Sequence, residues 1–208
     1  MDDCLFCNEF DLGSFVVQNQ NYGSRILSES DNFLVFPALG QIVEGYLLLA
    51  SKKHHIGIGQ VPEILYPELE SVLSKVRRVL LEAYASPLFF EHGPTSNIKK
   101  GGCCLVHAHI HAVPVQVDLL LALSKHFKYE KIKSLKALKE QFNKGVPYYF
   151  YESNIGERYL FEVPEIVPSQ YIRRVIAAEI GKPERWDWRN YYGIEELLNT
   201  RGRLKNKF

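Results

Sequence analysis

The sequence predicts an α+β fold: an antiparallel sheet with one long helix, followed by a C-terminal β-hairpin and helix extension. Three observations lead there. Short apolar runs of strand length recur in the first half of the chain, with turn residues between them. One segment, 62–84, keeps helical spacing throughout, with Leu65, Leu69, Val72, Val76, Val79 and Leu80 on a common face. Two aromatic runs, 147–152 and 158–162, flank Asn154-Ile155-Gly156 in the manner of a hairpin. Elements in this order, without regular strand–helix alternation, favour antiparallel pairing.

The first strand is expected over 24–29 and the second over 33–36, with Ser30-Asp31-Asn32 as the turn. Residues 37–44 form a loop around Gly40. The run 45–51 is apolar enough for a buried strand, and Lys52-Lys53-His54-His55 closes it. Gly57 and Gly59 break the chain before the long helix. Residues 87–91 give the next strand, and 92–102 a polar loop. Then comes Leu105-Val106-His107-Ala108-His109-Ile110-His111-Ala112-Val113, with histidine at every second position. That period is strand geometry, so the three imidazoles share one face, opposite Val106, Ala108, Ile110 and Ala112. Helices over 118–126 and 134–142 lead into the aromatic hairpin. Pro168-Ser169 opens a helix that runs to Ile180 and is capped by Gly181. A short linker holds Trp186 and Trp188, a last helix covers 193–200, and the basic tail 201–208 is expected to fray. The division that follows is 1–125 as one domain and 126–208 as an extension packed on it.

With 208 residues and a hydrophobic fraction of 46%, the chain can bury a sizeable core. A formal net charge of +1 excludes a global basic field of the kind that coats nucleic acid. No apolar stretch nears the ~20 residues that span a bilayer, and Met1-Asp2-Asp3 has no apolar signal core. No membrane partner is implied, and a cytoplasmic protein is expected. Cysteine occurs as two pairs, Cys4 with Cys7 and Cys103 with Cys104, which is sparse for a disulfide scaffold. Cys4-Leu5-Phe6-Cys7 reads as a metal half-site or a redox pair. The thioredoxin-like form of the latter needs a preceding strand, and no strand fits before Cys4.

A strand rises ~3.3 Å per residue, which sets His107 and His111 roughly 13 Å apart, too far to share one ion with ~2 Å bonds. The histidines therefore divide the labour or face a substrate. A neutral imidazole is a good nucleophile toward phosphorus, and flanking rings can donate to phosphate oxygens. The preceding loop offers Asn97, Lys99, Lys100 and a double glycine whose backbone amides suit anions. Two cysteines and two histidines also suit tetrahedral zinc, with Cys4, Cys7, His107 and either His54 or His55 as donors. Spacing alone does not make these converge.

Together these residues resemble the histidine-triad (HIT) superfamily, whose signature is His-φ-His-φ-His-φ-φ with φ apolar. His107-Ala108-His109-Ile110-His111-Ala112-Val113 meets it in full. Cys4-Leu5-Phe6-Cys7 is similar to the opening of zinc-bearing members, and Ser51-Lys52-Lys53-His54 to their third ligand element. The resemblance implies a HIT-like antiparallel sheet and a structural zinc held by Cys4, Cys7, His54 and His107. It implies His109 as a covalent nucleophile toward the α-phosphorus of a nucleotide or nucleotide conjugate. His111 would act beside it on the phosphate or leaving group. Cys104 stands where a phosphate-touching Ser or Thr is common, and Asn97, Lys99 and Lys100 of the preceding loop are further candidate substrate contacts. The activity implied is that of a nucleotide hydrolase or nucleotidyltransferase. Family domains often dimerise through their sheets, so a homodimer is implied as well.

The chain departs from the family pattern in three places. Phe36-Pro37-Ala38-Leu39 lacks the acid that holds ribose hydroxyls, Cys104 replaces Ser or Thr, and Glu91-His92-Gly93 stands where an Asn is frequent. The C-terminal part, with Pro168-Ser169-Gln170-Tyr171 and Pro183-Glu184-Arg185-Trp186-Asp187-Trp188-Arg189, resembles the C-terminal module of CwfJ-like proteins, HIT relatives linked to RNA. That favours an alternative: a non-catalytic, zinc-stabilised module that binds nucleotide or RNA. A third reading shares a catalytic metal between His107 and His109. Tyr148 to Tyr151 read as hairpin packing, Arg173 and Arg174 as a solvated helix edge, and Trp186 and Trp188 as pins for the C-terminal segment. Lys52 and Lys53, like Lys99 and Lys100, flank the histidine face as phosphate candidates.

Overall fold

The protein is described by a computed structural model covering residues 4–163 and 166–208. Met1-Asp2-Asp3, read above as an acidic start, lie outside the described residues, as do Pro164 and Glu165. The sheet is built from β3 (Ser28–Glu29), β4 (Phe33–Pro37), β5 (Leu47–Ser51), β6 (Leu88–Gly93), β7 (His109–Val113), β8 (Tyr129–Ile132), β9 (Tyr148–Glu152) and β10 (Arg158–Glu162). These eight strands form one sheet in the order β3-β4-β5-β7-β6-β9-β10-β8, and every neighbouring pair is antiparallel. The fold is α+β with an antiparallel sheet, as the apolar runs predict.

Both faces of the sheet are buried, which explains why β4, most of β5 and β9, and the first half of β6 read as apolar or aromatic runs without alternation. On one face α2 (Tyr66–Ala83) lays Leu69, Leu73, Val76, Val79, Leu80 and Ala83 against Val35, Leu49, Ile110, Ala112 and Phe150. Pro67 in its first turn costs no hydrogen bond there, and Glu68 favours the helix N-terminus. The same carboxylate accepts from Ser30 Oγ at 2.6 Å and Asn32 N at 2.8 Å, fastening α2 to the β3–β4 turn. On the other face, α1 (Leu5–Leu12), α3 (Leu119–Ser124) and α5 (Tyr171–Glu179) cover Leu48, Phe90, Val113, Tyr149 and Phe161.

The aromatic hairpin joins this sheet beside β6, so the sheet runs unbroken across residue 125. Its outer end is held by a charge cluster: Arg158 bonds both oxygens of Glu70 at 2.6 Å and also Glu152, which Arg77 reaches from α2. The partners are half-buried, so solvent weakens the pairs less than it would on an open surface.

Several elements differ from the sequence reading. The expected strand 24–29 keeps only Ser28–Glu29, because Arg25 leaves the sheet to bond Glu9 and the Pro37 carbonyl. The histidine strand starts at His109, and His107 lies ahead of it. Leu5–Leu12 forms a helix, Val16–Val17 pairs with Gln20–Asn21 (β1 and β2), and Tyr129–Ile132 adds an edge strand, none of which the apolar pattern announced. The tail does not fray at 200. Helix α6 (Ile194–Leu204) continues through it, with Leu204 fully buried beside α2 and Arg203 bonded to the Ala83 carbonyl. No helix among the described residues is long and apolar enough to cross a membrane.

The ordered tail is testable. Leu204→Ala should cost about 2–5 kcal/mol, the range for emptying a buried leucine site, in urea unfolding followed by circular dichroism. A frayed tail would give no change.

Candidate functional site

Two adjoining sites share the sheet face that carries the odd-numbered residues of β7. The first is a cluster of Cys4, Cys7, His54 and His107, whose donor atoms all lie within 4.8 Å of one another. Cys4 caps α1 and Cys7 lies in its first turn, so the i, i+3 spacing turns both sulfurs to one side. Cys4 Sγ is 3.3 Å from His107 Nδ1, Cys7 Sγ is 3.4 Å from His54 Nδ1, and Cys7 Sγ is 3.7 Å from His107 Nδ1. A tetrahedral ion with bonds of ~2.0–2.3 Å sets neighbouring donors about 3.3–3.8 Å apart. These three separations fall in that range, and the remaining pairs lie within 4.8 Å. His107 Nε2 donates to the Ser51 carbonyl at 2.7 Å, which fixes the ring and leaves the Nδ1 lone pair toward the sulfurs. Cys7 is pushed up to about 11 by burial and by Cys4, so a cation at the centre is what would ionise it. His55 is not part of the cluster, and its backbone carbonyl accepts from Ala108 N at 2.6 Å.

The second site is a cavity of about 390 Å³ lined by His92, His109 and His111, by Cys104, and by Arg173 and Trp188 from the C-terminal part. Its far wall is apolar, with Phe6 and Leu12 of α1 and Phe15, Val17 and Leu39. His109 Nδ1 lies 2.5 Å from the His107 carbonyl. A carbonyl only accepts, so Nδ1 carries the proton and Nε2 keeps its lone pair. His111 stacks on Phe90 at 4.3 Å and meets the Tyr46 hydroxyl through Nδ1 at 2.7 Å. His92 Nε2 accepts from Ile172 N at 3.2 Å.

The electrostatics of the cavity are set by burial. His109 is pushed down to about 4 by desolvation; the His107 carbonyl opposes this and Arg173 adds to it. His92 falls to about 3 by burial, then by His109 and Arg173. His111 is driven well below its usual range by burial, His109, His92 and Arg173. All three are neutral at pH 7.

Arg173 departs from the expectation of a solvated edge. It is 3% exposed, with Nε donating to the Trp186 carbonyl at 2.8 Å and Nη2 to the Gly40 carbonyl at 2.7 Å. Gly40 has φ +74°, and a Cβ there would lie 2.3 Å from Trp188 Cβ, so glycine lets the two segments close. Trp188 Nε1 donates to Cys104 Sγ at 3.2 Å, so this ring belongs to the cavity wall as well as to packing.

Of the implied substrate contacts, His111 and Cys104 line the cavity. Asn97, Lys99 and Lys100 do not: they ride an exposed loop, and Lys99 Nζ reaches the Gly145 carbonyl at 3.4 Å. Lys52 pairs with Glu29. A metal shared by His107 and His109 is not available either, since both His107 nitrogens and His109 Nδ1 are already directed elsewhere. Glu91 faces the opposite side, bonding Ile58 N at 2.7 Å and Tyr148 Oη at 2.9 Å. The reading from sequence missed His92, Tyr46, Gln170 and Arg173. Arg173 did carry a signal, because it stands three and four residues before Ile176 and Ala177 on the buried stripe of α5.

No family model matches the chain. Among curated proteins it is similar to Zinc finger CCCH domain-containing protein 64 of Arabidopsis thaliana, 26% identical over 211 residues and covering 90% of this chain. The match takes in 32% of that protein, so the chain spans about a third of its relative's length. Among solved structures, it is similar to a HIT family protein from Bacillus anthracis (TM-score 0.43, 20% identity, 54% of this chain and 73% of that one). A hypothetical histidine triad nucleotide-binding protein from Sulfolobus tokodaii gives TM-score 0.43 and 18% identity, over 68% and 87% of the two chains. A zinc-bound histidine triad family protein from Mycobacterium smegmatis gives 0.41 and 16%, over 69% and 92%. At these scores the overlap is a likeness, and assignment rests on the side chains.

Proposed function

We propose that this chain is a histidine-triad-type enzyme, a nucleotide hydrolase or nucleotidyltransferase with His109 as nucleophile. The observation that supports it most is the His109 Nδ1 contact to the His107 carbonyl at 2.5 Å, which leaves a bare Nε2 in the cavity. In the reaction, Nε2 bonds to the α-phosphorus of a phosphoanhydride or phosphoramidate. The bond from phosphorus to the leaving group breaks, and that group departs with the electron pair. Nδ1–H then carries the imidazolium charge against the His107 carbonyl. Water attacks the phosphorus of the adduct, loses its proton to solvent and frees Nε2; a different acceptor makes the same step a transfer. Arg173 brings positive charge to a cavity that must hold phosphate, and the apolar wall suits a base. In this reading residues 126–208 are an extension that completes both the sheet and the cavity.

The cluster of Cys4, Cys7, His54 and His107 would hold a structural zinc, whose chemistry is to bind α1 to the sheet through ionised thiolates. The alternative, a zinc-stabilised nucleotide- or RNA-binding module of the CwfJ-like type, is favoured by one observation. The strand end at Pro37-Ala38 offers no acid for ribose, and Glu9, the carboxylate of the cavity lining, is held by Arg25 Nε and Nη2 at 2.7 Å.

Incubation with labelled dinucleoside polyphosphates and nucleoside phosphoramidates should give an acid-labile protein adduct. His109→Ala should abolish it and lower turnover at least about a thousandfold, the scale for removing a covalent nucleophile. No adduct and no turnover, with equal nucleotide or RNA binding by both proteins, supports the binding module instead. For the metal, elemental analysis should find one zinc per chain, retained by His55→Ala and lost in His54→Ala. Chelation should lower stability by about 3 kcal/mol relative to zinc at a hundredfold excess over its dissociation constant. Loss in His55→Ala alone would overturn the ligand assignment.

A further inference from the structure

Gln170 lines the cavity, and the reaction proposed above makes no use of it. It stands just before α5 in the C-terminal part and is 1% exposed. Its backbone sits at φ 59° and ψ 36°, the left-handed region, where glycine is the easy choice and a residue with a Cβ is strained. The chain keeps a long polar side chain there instead. Gln170 N donates to the Gly102 carbonyl at 2.8 Å. That bond holds it against the loop leading to Cys103 and Cys104, which line the same cavity.

The side-chain amide has a fixed direction. Gln170 Nε2 donates to Asp187 Oδ1 at 2.9 Å. The Asp187 carboxylate also accepts from Arg189 N at 3.2 Å and, through Oδ2, from Asn190 Nδ2 at 2.8 Å. A carboxylate that accepts from three sides repels an amide oxygen, so the nitrogen faces Asp187 and Oε1 takes the other end. Asp187 is not among the residues lining the cavity, whereas Gln170 is, which leaves the oxygen on the cavity side. Oε1 is buried and, among the described residues, accepts no hydrogen bond. A buried amide oxygen without a partner is costly and uncommon.

The missing partner is a hydrogen-bond donor. The ionised phosphate oxygens of a nucleotide only accept, so they do not answer Oε1. The nucleoside part does carry donors, on its sugar hydroxyls and on its base. Elsewhere in the cavity wall the carboxylate of Glu9 is already taken by Arg25. We propose that Gln170 is a specificity-determining residue, whose Oε1 accepts a hydrogen bond from a hydroxyl or N–H group of the nucleoside. This rests on the reading of the cavity as a nucleotide site, and it holds with or without turnover at His109. An analogue that lacks the hydrogen leaves the buried oxygen unpaired, which is how such a site discriminates.

Calorimetric titration of the full chain with AMP, GMP, CMP and UMP tests this. The nucleotide that binds most tightly is compared with its 2′-deoxy form, its 3′-deoxy form and a form whose base lacks hydrogen-bond donors. One of the three should bind about five- to tenfold more weakly, the scale of one neutral hydrogen bond, and it identifies the donor as sugar or base. Gln170→Met, close in size, should weaken the parent nucleotide by the same factor and leave the deficient analogue unchanged. Thermal unfolding checks that the variant is folded. Equal binding of the parent and all three analogues by the wild type overturns the proposal without need of any variant. Discrimination that persists in Gln170→Met overturns it too, since Oε1 then holds a buried water at most. A wild type that binds none of the four nucleotides overturns the nucleotide reading of the cavity, and this assignment with it.

Discussion

The site depends on one residue being out of the sheet. His107 precedes β7, and because it is not part of the ladder all of its polar groups are free for other work. Its Nδ1 faces Cys4 and Cys7, its Nε2 bonds the Ser51 carbonyl at the end of β5, and its own carbonyl orients His109. In a regular strand that carbonyl would be committed to a neighbouring amide or turned along the sheet. The departure from strand geometry therefore couples the Cys–His cluster to the ring proposed as the nucleophile. A shift of α1 moves His107, and a shift of His107 moves the hydrogen bond that selects the His109 tautomer.

The rest of the fold follows a division between the two sheet faces. The face under α2 is mainly aliphatic and aromatic, and among the described residues its buried acids, Glu91 and Glu152, are bonded to Tyr148 and to Arg77 and Arg158. The other face holds His92, His109, His111 and Arg173 in the same apolar setting. Burying an arginine without a carboxylate is costly, and the carbonyls of Gly40 and Trp186 offset only part of that cost. The C-terminal part is thus more than a cover. It brings a buried positive charge to the histidines, and the segment that holds it is fastened by Gly40 N to the Tyr192 carbonyl at 2.7 Å.

The sequence displayed the sheet and long helix well because both rest on periodic burial. The strands β4, β5 and β6 and the stripe of α2 are visible in hydropathy alone. Helix α1 was hidden because among its eight residues only Phe6 is fully buried, which leaves no periodic apolar stripe. β8 was hidden because it is an edge strand with three exposed residues, including Lys131. At the site, the alternation of His107, His109 and His111 and the spacing of Cys4 and Cys7 were readable locally. The lysines of the 94–100 loop misled, since charge near a motif in sequence does not put charge in its cavity. Arg173 was obscured by the prior that arginine is solvated, although its helical phase with Ile176 and Ala177 argued otherwise.

The burial of the histidines carries a chemical tension that the surrounding groups resolve. A nucleophilic imidazole must be neutral, and desolvation with Arg173 nearby ensures this for His109. The same forces oppose the charged adduct that attack on phosphorus creates. One feature works against that penalty. The His107 carbonyl accepts from Nδ1 and gains strength as the ring becomes cationic. An incoming phosphate brings the negative charge that the cavity lacks, so the substrate itself lowers the cost of both buried cations. The chemistry proposed for His109 would on this account be strongest with the anion bound, while burial alone keeps the three histidines neutral.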